Sequence, residues 1–266
     1  MTTARPLLPT ESERVLGLRV DPVSKAQAVE AVVDRALGDE PGGYVCLTNV
    51  HSTVESHGSP ALRSAVENAL LSVPDGMPLV WILRRRGHPD TEKITGIEYM
   101  PLVASAGLQA GLRHSLYGGA PGVARRAGRR LEQLVPGVQI VGAASPPFTA
   151  IGDWPIDDLR RELERTKPHI LWVGLGAPKQ ELWMGAMADV LEVPVMIGVG
   201  AAFDYLAGTK PAAPTFLRHM GLEWLFRLAV EPARLWRRYL VGNATFAYLF
   251  ARDLISRRPS RSRSGP

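Results

Sequence analysis

The sequence predicts an α/β fold: a parallel sheet covered by helices on both sides, followed by a helical C-terminal appendage. Three observations carry this prediction. Short β-branched runs alternate with longer helical windows from Tyr44 to about Gly200. Two of those runs, near Gly118 and Gly174, leave through paired glycines directly into a helical window. After Asp204 the strand-like runs stop, and Pro211, Pro214, Gly221 and Pro232 divide the rest into short helical pieces.

In chain order, YVCLTNV (44–50) reads as a strand. Leu62, Ala65, Val66, Ala69 and Leu70 recur at helical spacing and predict a helix over 60–73, with Pro74 as its stop. PLVWILRRR, after Asp75, reads as helical, SLYGG (115–119) as a strand, and 121–135 as a helix with arginines on its outer face. VQIVGAA is the next strand and 156–166 a charged surface helix. HILWVGLG (169–176) is a strand entering a glycine turn, 178–191 a helix, and VPVMIGVG a strand. The implied organisation is a core over 1–208, a basic helical appendage over 209–255, and an Arg/Ser-rich tail over 256–266 that lacks periodicity and is expected to be disordered.

Composition excludes several classes. Of 266 residues, 45% are hydrophobic and 21% charged, so the chain can bury a core and is not a disordered polymer. Cys46 is the single cysteine, which rules out an internal disulfide and a cysteine-rich zinc site. No window supplies the roughly 20 apolar residues of a spanning helix, and the first residues mix prolines and charges, so a cytoplasmic protein is expected. Charge is uneven: residues 1–210 carry 21 Lys+Arg against 23 Asp+Glu, whereas 211–266 carry 10 Arg against 3 acids. That asymmetry points to an anionic partner for the C-terminal part: nucleic acid, anionic lipid or a diphosphate.

Four constellations offer chemistry. Thr48 and Asn49 leave the first strand, with Asp75 about one helix later; ligands of open α/β sheets sit beyond such strand ends. Thr and Asn also cap helices and Asp-Gly makes turns, while Asp75 suits either a cap or a general base. The run from Val173 to Glu181 places Gly174 and Gly176 before a helix, an arrangement that offers free amides to an oxyanion. It is neither the dinucleotide fingerprint, since Lys179 holds the third-glycine position, nor a Walker A loop. Asp204 ends another glycine-rich strand exit and is placed to accept from a sugar hydroxyl or to cap the next segment. Arg227, Arg234, Arg237 and Arg238 are interleaved with Trp224, Phe226, Trp236 and Tyr239; they suit phosphate or a membrane interface, or else form a solvated basic face. Asp-x-Asp, Gly-x-Ser-x-Gly and His-Glu-x-x-His are absent from the sequence, and His51 with Glu55 lacks a third ligand.

Taken in order, LTNVHSTV, PDGMPLVW, KITGIEYMPLV, LYGGAPGVA, ILWVGLGAPKQELWM, IGVGAAFDYLAG and GLEWLFRLAVEPARLWRRYLVGN resemble the WecG/TagA/CpsF glycosyltransferase family over about Tyr44 to Asn243. The resemblance implies a Rossmann-like core and inverting transfer of N-acetylmannosamine or a similar hexose. The implied donor is a UDP-sugar and the acceptor a polyprenyl-diphosphate-linked sugar, at the inner face of the cell membrane. It implies no cofactor and no metal ion, with arginines and loop amides stabilising the departing UDP. By motif position Asp75 is the expected base, Thr48 and Asn49 line the sugar pocket, and Gln180 meets the diphosphate. Arg227, Arg234 and Arg237 belong to the closing appendage. Lys93, Gly118, Gly119, Gly174, Gly176 and Asp204 complete the expected substrate contacts. Lys93 stands where the family pattern has arginine, and Pro146-Pro147-Phe148 replaces a commoner Gly-Tyr-Phe. Expected partners are an anionic membrane surface and further copies of the chain, with no nucleic acid. The competing classes are an NAD(P)-dependent oxidoreductase using the Gly174–Gly176 turn and a nucleic-acid-binding module using the C-terminal arginines.

Overall fold

A computed structural model describes residues 11–146, 156–214, 216–217 and 220–256. The chain opens with a hairpin of β1 (Glu13–Val15) and β2 (Leu18–Val20), followed by α1 (Lys25–Leu37). Next come β3 (Gly43–Thr48), α2 (Val50–Glu55), α3 (Pro60–Glu67), β4 (Leu71–Pro74), α4 (Met77–Arg85) and α5 (Gly96–Ala106). The second half of the sheet is built by β5 (Arg113–Gly118), α6 (Val123–Leu134), β6 (Gln139–Ala144), α7 (Ile156–Thr166), β7 (Ile170–Gly174), α8 (Lys179–Met187), β8 (Val195–Gly198) and α9 (Ala202–Leu206). The C-terminal part holds α10 (Glu223–Val230), α11 (Pro232–Trp236), a π-helical turn (Arg237–Val241) and α12 (Gly242–Ser256).

Among the described residues six strands form one parallel sheet in the order β4-β3-β8-β7-β5-β6. The predicted fold class is therefore the observed one. Strand side chains alternate between faces with period two. Val45, Leu47, Ile170, Trp172, Val195 and Ile197 face the core under α1, α5, α6 and α9. Tyr44, Cys46, Leu171, Val173 and Met196 face the core under α3, α7 and α8. A third cluster joins the β1–β2 hairpin and α4 to Phe246 of α12. No helix of the described residues is long and apolar enough to cross a membrane.

One expected element is corrected. The helix predicted over 60–73 ends at Glu67, and Leu71–Pro74 is a strand. Leu71, Ser72 and Val73 pair with Val45, Cys46 and Leu47, and all four residues of β4 are buried, so ladder bonds and sheet burial override the local helical spacing. Asp21 seals this edge: it is buried, held by two Arg19 N–H bonds of 2.9 Å, and it accepts the Ser72 amide at 2.7 Å. The predicted disorder of the tail falls almost wholly on 257–266, outside the described residues, as do Pro147 and Phe148.

Candidate active site

The crossovers after β3 and β7 run to one face of the sheet and the one after β8 to the other, and the strand ends diverge there into a crevice. A cleft of about 640 Å³ fills it. Asn49, Asp75, Gly119, Gly174 and Gly176 come to it from strand exits, Gln180 and Asp204 from the helices that follow them, and Arg227, Arg234 and Arg238 from the C-terminal helices.

Asp75 follows β4, where its amide donates to the Thr48 carbonyl at 2.7 Å. Asn49 is both a cap and a cleft residue: its Oδ1 accepts the Ser52 amide at 3.2 Å, and its side chain hydrogen-bonds Asp75. Burial raises the Asp75 pKa to about 6, helped by the Glu223 carboxylate and opposed by Arg227, Lys93 and the Asn49 bond. The group is therefore mostly ionised at neutral pH yet basic enough to take a proton.

Glu223 is the hinge of this charge cluster. It pairs with Lys93 at 3.7 Å and with Arg227, whose guanidinium lies 4.9 Å from the Tyr205 ring centroid. One acid on α10 thus binds a core lysine and orients an arginine that faces the cleft. Arg234 is paired with Glu231 at 2.5 Å, and Lys210 bridges Glu231 and Asp204 at 3.2 and 3.6 Å.

Arg238 differs from these. Among the described residues it makes no ion pair, and its buried Nε has no hydrogen-bond partner. It lies near Asp75 and His51; burial first, then Arg238, pushes the His51 pKa down to about 4. A partly buried cation that closes no ion pair is costly, and an anionic ligand in the cleft would add to the partial compensation that Asp75 gives.

The glycine loops bring backbone close to the cleft. Gly118 has φ +138°, and a Cβ there would lie 2.5 Å from the Gly174 carbonyl carbon and oxygen, so β5 and β7 exits touch through bare backbone. On α8, the buried Gln180 donates Nε2 to Glu181 Oε1 at 3.2 Å, while its own Oε1 is buried without a partner. Burial raises the Glu181 pKa to about 7, against the pull of its own backbone amide and Gln180.

The structure separates the expected site residues. Asn49, Asp75, Gly119, Gly174, Gly176, Gln180, Asp204, Arg227 and Arg234 line the cleft. Thr48 does not: its hydroxyl is buried against Ser72 Oγ at 2.8 Å, behind the cleft wall. Gly118 shapes the wall from behind, and Lys93 acts on Asp75 through charge and on Glu223 through its ion pair. Arg237 is exposed, with its guanidinium 5.3 Å from the Trp236 ring centroid; Arg238 takes the cleft position instead. The reason is a helix break at Glu231 (φ −130°, ψ 61°) and the π turn, which shift the helical phase from a continuous stripe. Thr95, Tyr205, Lys210 and Glu223 were not among the expected contacts. Thr95 and Glu223 stood inside the quoted KITG and GLEW motifs, but only packing shows which of their neighbours they meet.

The glycosyl transferase WecG/TagA/CpsF family model matches residues 13–260. A curated relative from Bacillus spizizenii is 27% identical over 207 residues, 77% of each chain. It is named N-acetylglucosaminyldiphosphoundecaprenol N-acetyl-beta-D-mannosaminyltransferase. A match over nearly the whole chain, with a cleft that gathers one basic carboxylate and several arginines, leads to one conclusion: the chain belongs to the WecG/TagA/CpsF family and is a glycosyltransferase.

Proposed function

We propose that this glycosyltransferase moves a hexose, N-acetylmannosamine or similar, from a UDP-sugar to a polyprenyl-diphosphate-linked sugar, with inversion and without a metal ion. The named relative supports the acceptor class and the sugar type. The observation that carries the chemistry is Asp75: a carboxylate at the cleft with a pKa near 6, hydrogen-bonded by Asn49 and surrounded by cations. Family membership sets aside the oxidoreductase and nucleic-acid readings.

In the proposed step the acceptor hydroxyl gives its proton to Asp75 as its oxygen bonds to the anomeric carbon of the donor. The bond from that carbon to the diphosphate oxygen breaks, and its electron pair leaves with UDP. Glu223, the other acid beside Asp75, is held by Lys93 and Arg227, and Asp204 by Lys210, which leaves Asp75 as the base and favours direct displacement over a covalent intermediate. Charge on the leaving diphosphate is met by Arg227, Arg234 and Arg238 and by the loop amides near Gly174 and Gly176, all of which line the cleft. A polyprenyl acceptor brings the reaction to an anionic membrane face, which fits the basic C-terminal part.

Asp75→Asn is expected to lower transfer by about 10²- to 10⁴-fold while calorimetry still shows UDP binding. Full transfer by that variant, or turnover lost on adding a chelator, refutes the mechanism.

A further inference from the structure

We infer that the N-terminus of α5, formed by Thr95 and the amides of Gly96 and Ile97, is a subsite for an acceptor oxygen of the bound donor, either a phosphate oxygen or an acyl carbonyl. The inference rests on the glycosyl-transfer reading of the cleft and specifies a contact that reading does not contain.

Thr95 holds the N-cap place of α5 with extended backbone (φ −110°, ψ 146°). An N-cap threonine ordinarily turns its hydroxyl back onto the second or third amide of its helix. Here it does not. The Glu98 and Tyr99 amides instead donate to the Thr95 carbonyl at 3.1 and 2.8 Å. Thr95 is only 4% exposed, and its Oγ1 is buried with no partner among the described residues. Hydroxyls in that condition are uncommon, because a buried polar group without a hydrogen bond is costly. Thr95, Gly96 and Ile97 all line the cleft, and the unspent hydroxyl belongs to the residue that starts an 11-residue helix at its positive end.

The helix start is fixed in place. A Cβ on Gly96 would lie 2.9 Å from Ala202 Cβ, Val199 Cβ and the Val199 carbonyl oxygen, so only glycine lets α5 press this closely on the β8 exit. On the other side the Ile94 amide donates to the Pro74 carbonyl at 3.0 Å, tying the segment next to Asp75. A hydroxyl donor and a helix N-terminus, held rigidly beside the proposed base, match an oxygen that carries negative charge or a carbonyl dipole.

The test compares Thr95→Val and Thr95→Ser with the unmodified full chain, measuring melting temperature and calorimetric affinity for inorganic pyrophosphate, UDP, UDP-glucose and UDP-N-acetylglucosamine. Because the hydroxyl has no protein partner, Thr95→Val is expected to melt at the same or a higher temperature without ligand, yet to bind about fivefold to tenfold more weakly. Thr95→Ser recovers the affinity that valine loses. Weakening of pyrophosphate and every UDP compound identifies a phosphate oxygen; weakening of UDP-N-acetylglucosamine alone identifies the acyl carbonyl. Unchanged affinities for all four ligands, or a free Thr95→Val protein that melts lower, overturn the subsite. If the unmodified protein binds no UDP compound, the nucleotide-sugar reading fails instead, and a pyrophosphate response lost in Thr95→Val still supports the anion site.

Discussion

At neutral pH the fold holds the Asp75 carboxylate at a cost in stability, because burial disfavours its charged form. Its pKa in the fold, about 6, lies above its ordinary 3.8, so the native state binds this proton more tightly than the unfolded chain does. Stability from this group is therefore full at low pH and is lost as pH rises from about 4 to about 6. Asp75→Asn is thus expected to raise stability at pH 8 by up to ~3 kcal/mol and to leave it nearly unchanged at pH 4, as measured by urea unfolding at the two pH values. Glu223 offers a second residue-scale test. Its charge raises the Asp75 pKa, and it occupies Lys93 and Arg227, which lower it. Glu223→Gln should move the acidic limb of the pH–rate profile to lower pH; a limb that stays or moves up would show that Asp75 is not the titrating base.

At the scale of elements, the C-terminal helices decide which arginine is used. A continuous helix through Pro232 would give Arg234 and Arg237 a common stripe, but the break at Glu231 and the π turn deliver Arg238 to the cleft. Arg238→Ala is expected to lower kcat/KM roughly 10- to 100-fold, the usual loss of a charge-assisted contact, whereas Arg237→Ala should change it less than about threefold. The reverse order would mean that the helices rearrange when substrate binds. The strand β4 makes the same point in the core. Leu71 and Val73 were legible as apolar, but their spacing from Leu62, Val66 and Leu70 also fits a helix, and only pairing with β3 selects the strand. By contrast the exits at Thr48, Gly118, Gly174 and Gly198 were legible because a glycine or capping residue follows a short apolar run, a local signal that needs no partner.

For the whole molecule, the uneven charge and the exposed apolar side chains coincide. The acid-poor C-terminal part presents Trp236, Leu240, Val241, Tyr248 and Leu254 to solvent, each 44% exposed or more. Together with the arginines this composition suits a membrane interface rather than free solvent. The protein is expected to float with phosphatidylglycerol vesicles and to be released by high salt. Leu240→Glu combined with Tyr248→Glu should reduce that binding at least fivefold without lowering the melting temperature, because both side chains are more than half exposed. Unchanged flotation would show that these side chains make no membrane contact.

Taken alone, the amino-acid order determined the fold class, the strand exits and the motifs that mark Asp75 and Gln180, because these depend on periodicity and short-range turn chemistry. It determined the sign of the charge in the C-terminal part for the same reason. Only the tertiary structure decided that Thr48 turns to Ser72, that Glu223 links Lys93 to Arg227, that Arg238 replaces Arg237, and that the Thr95 hydroxyl is left unpaired. Each of these depends on which side chains from distant segments meet, and that is set by packing across the sheet, which no spacing along the chain encodes.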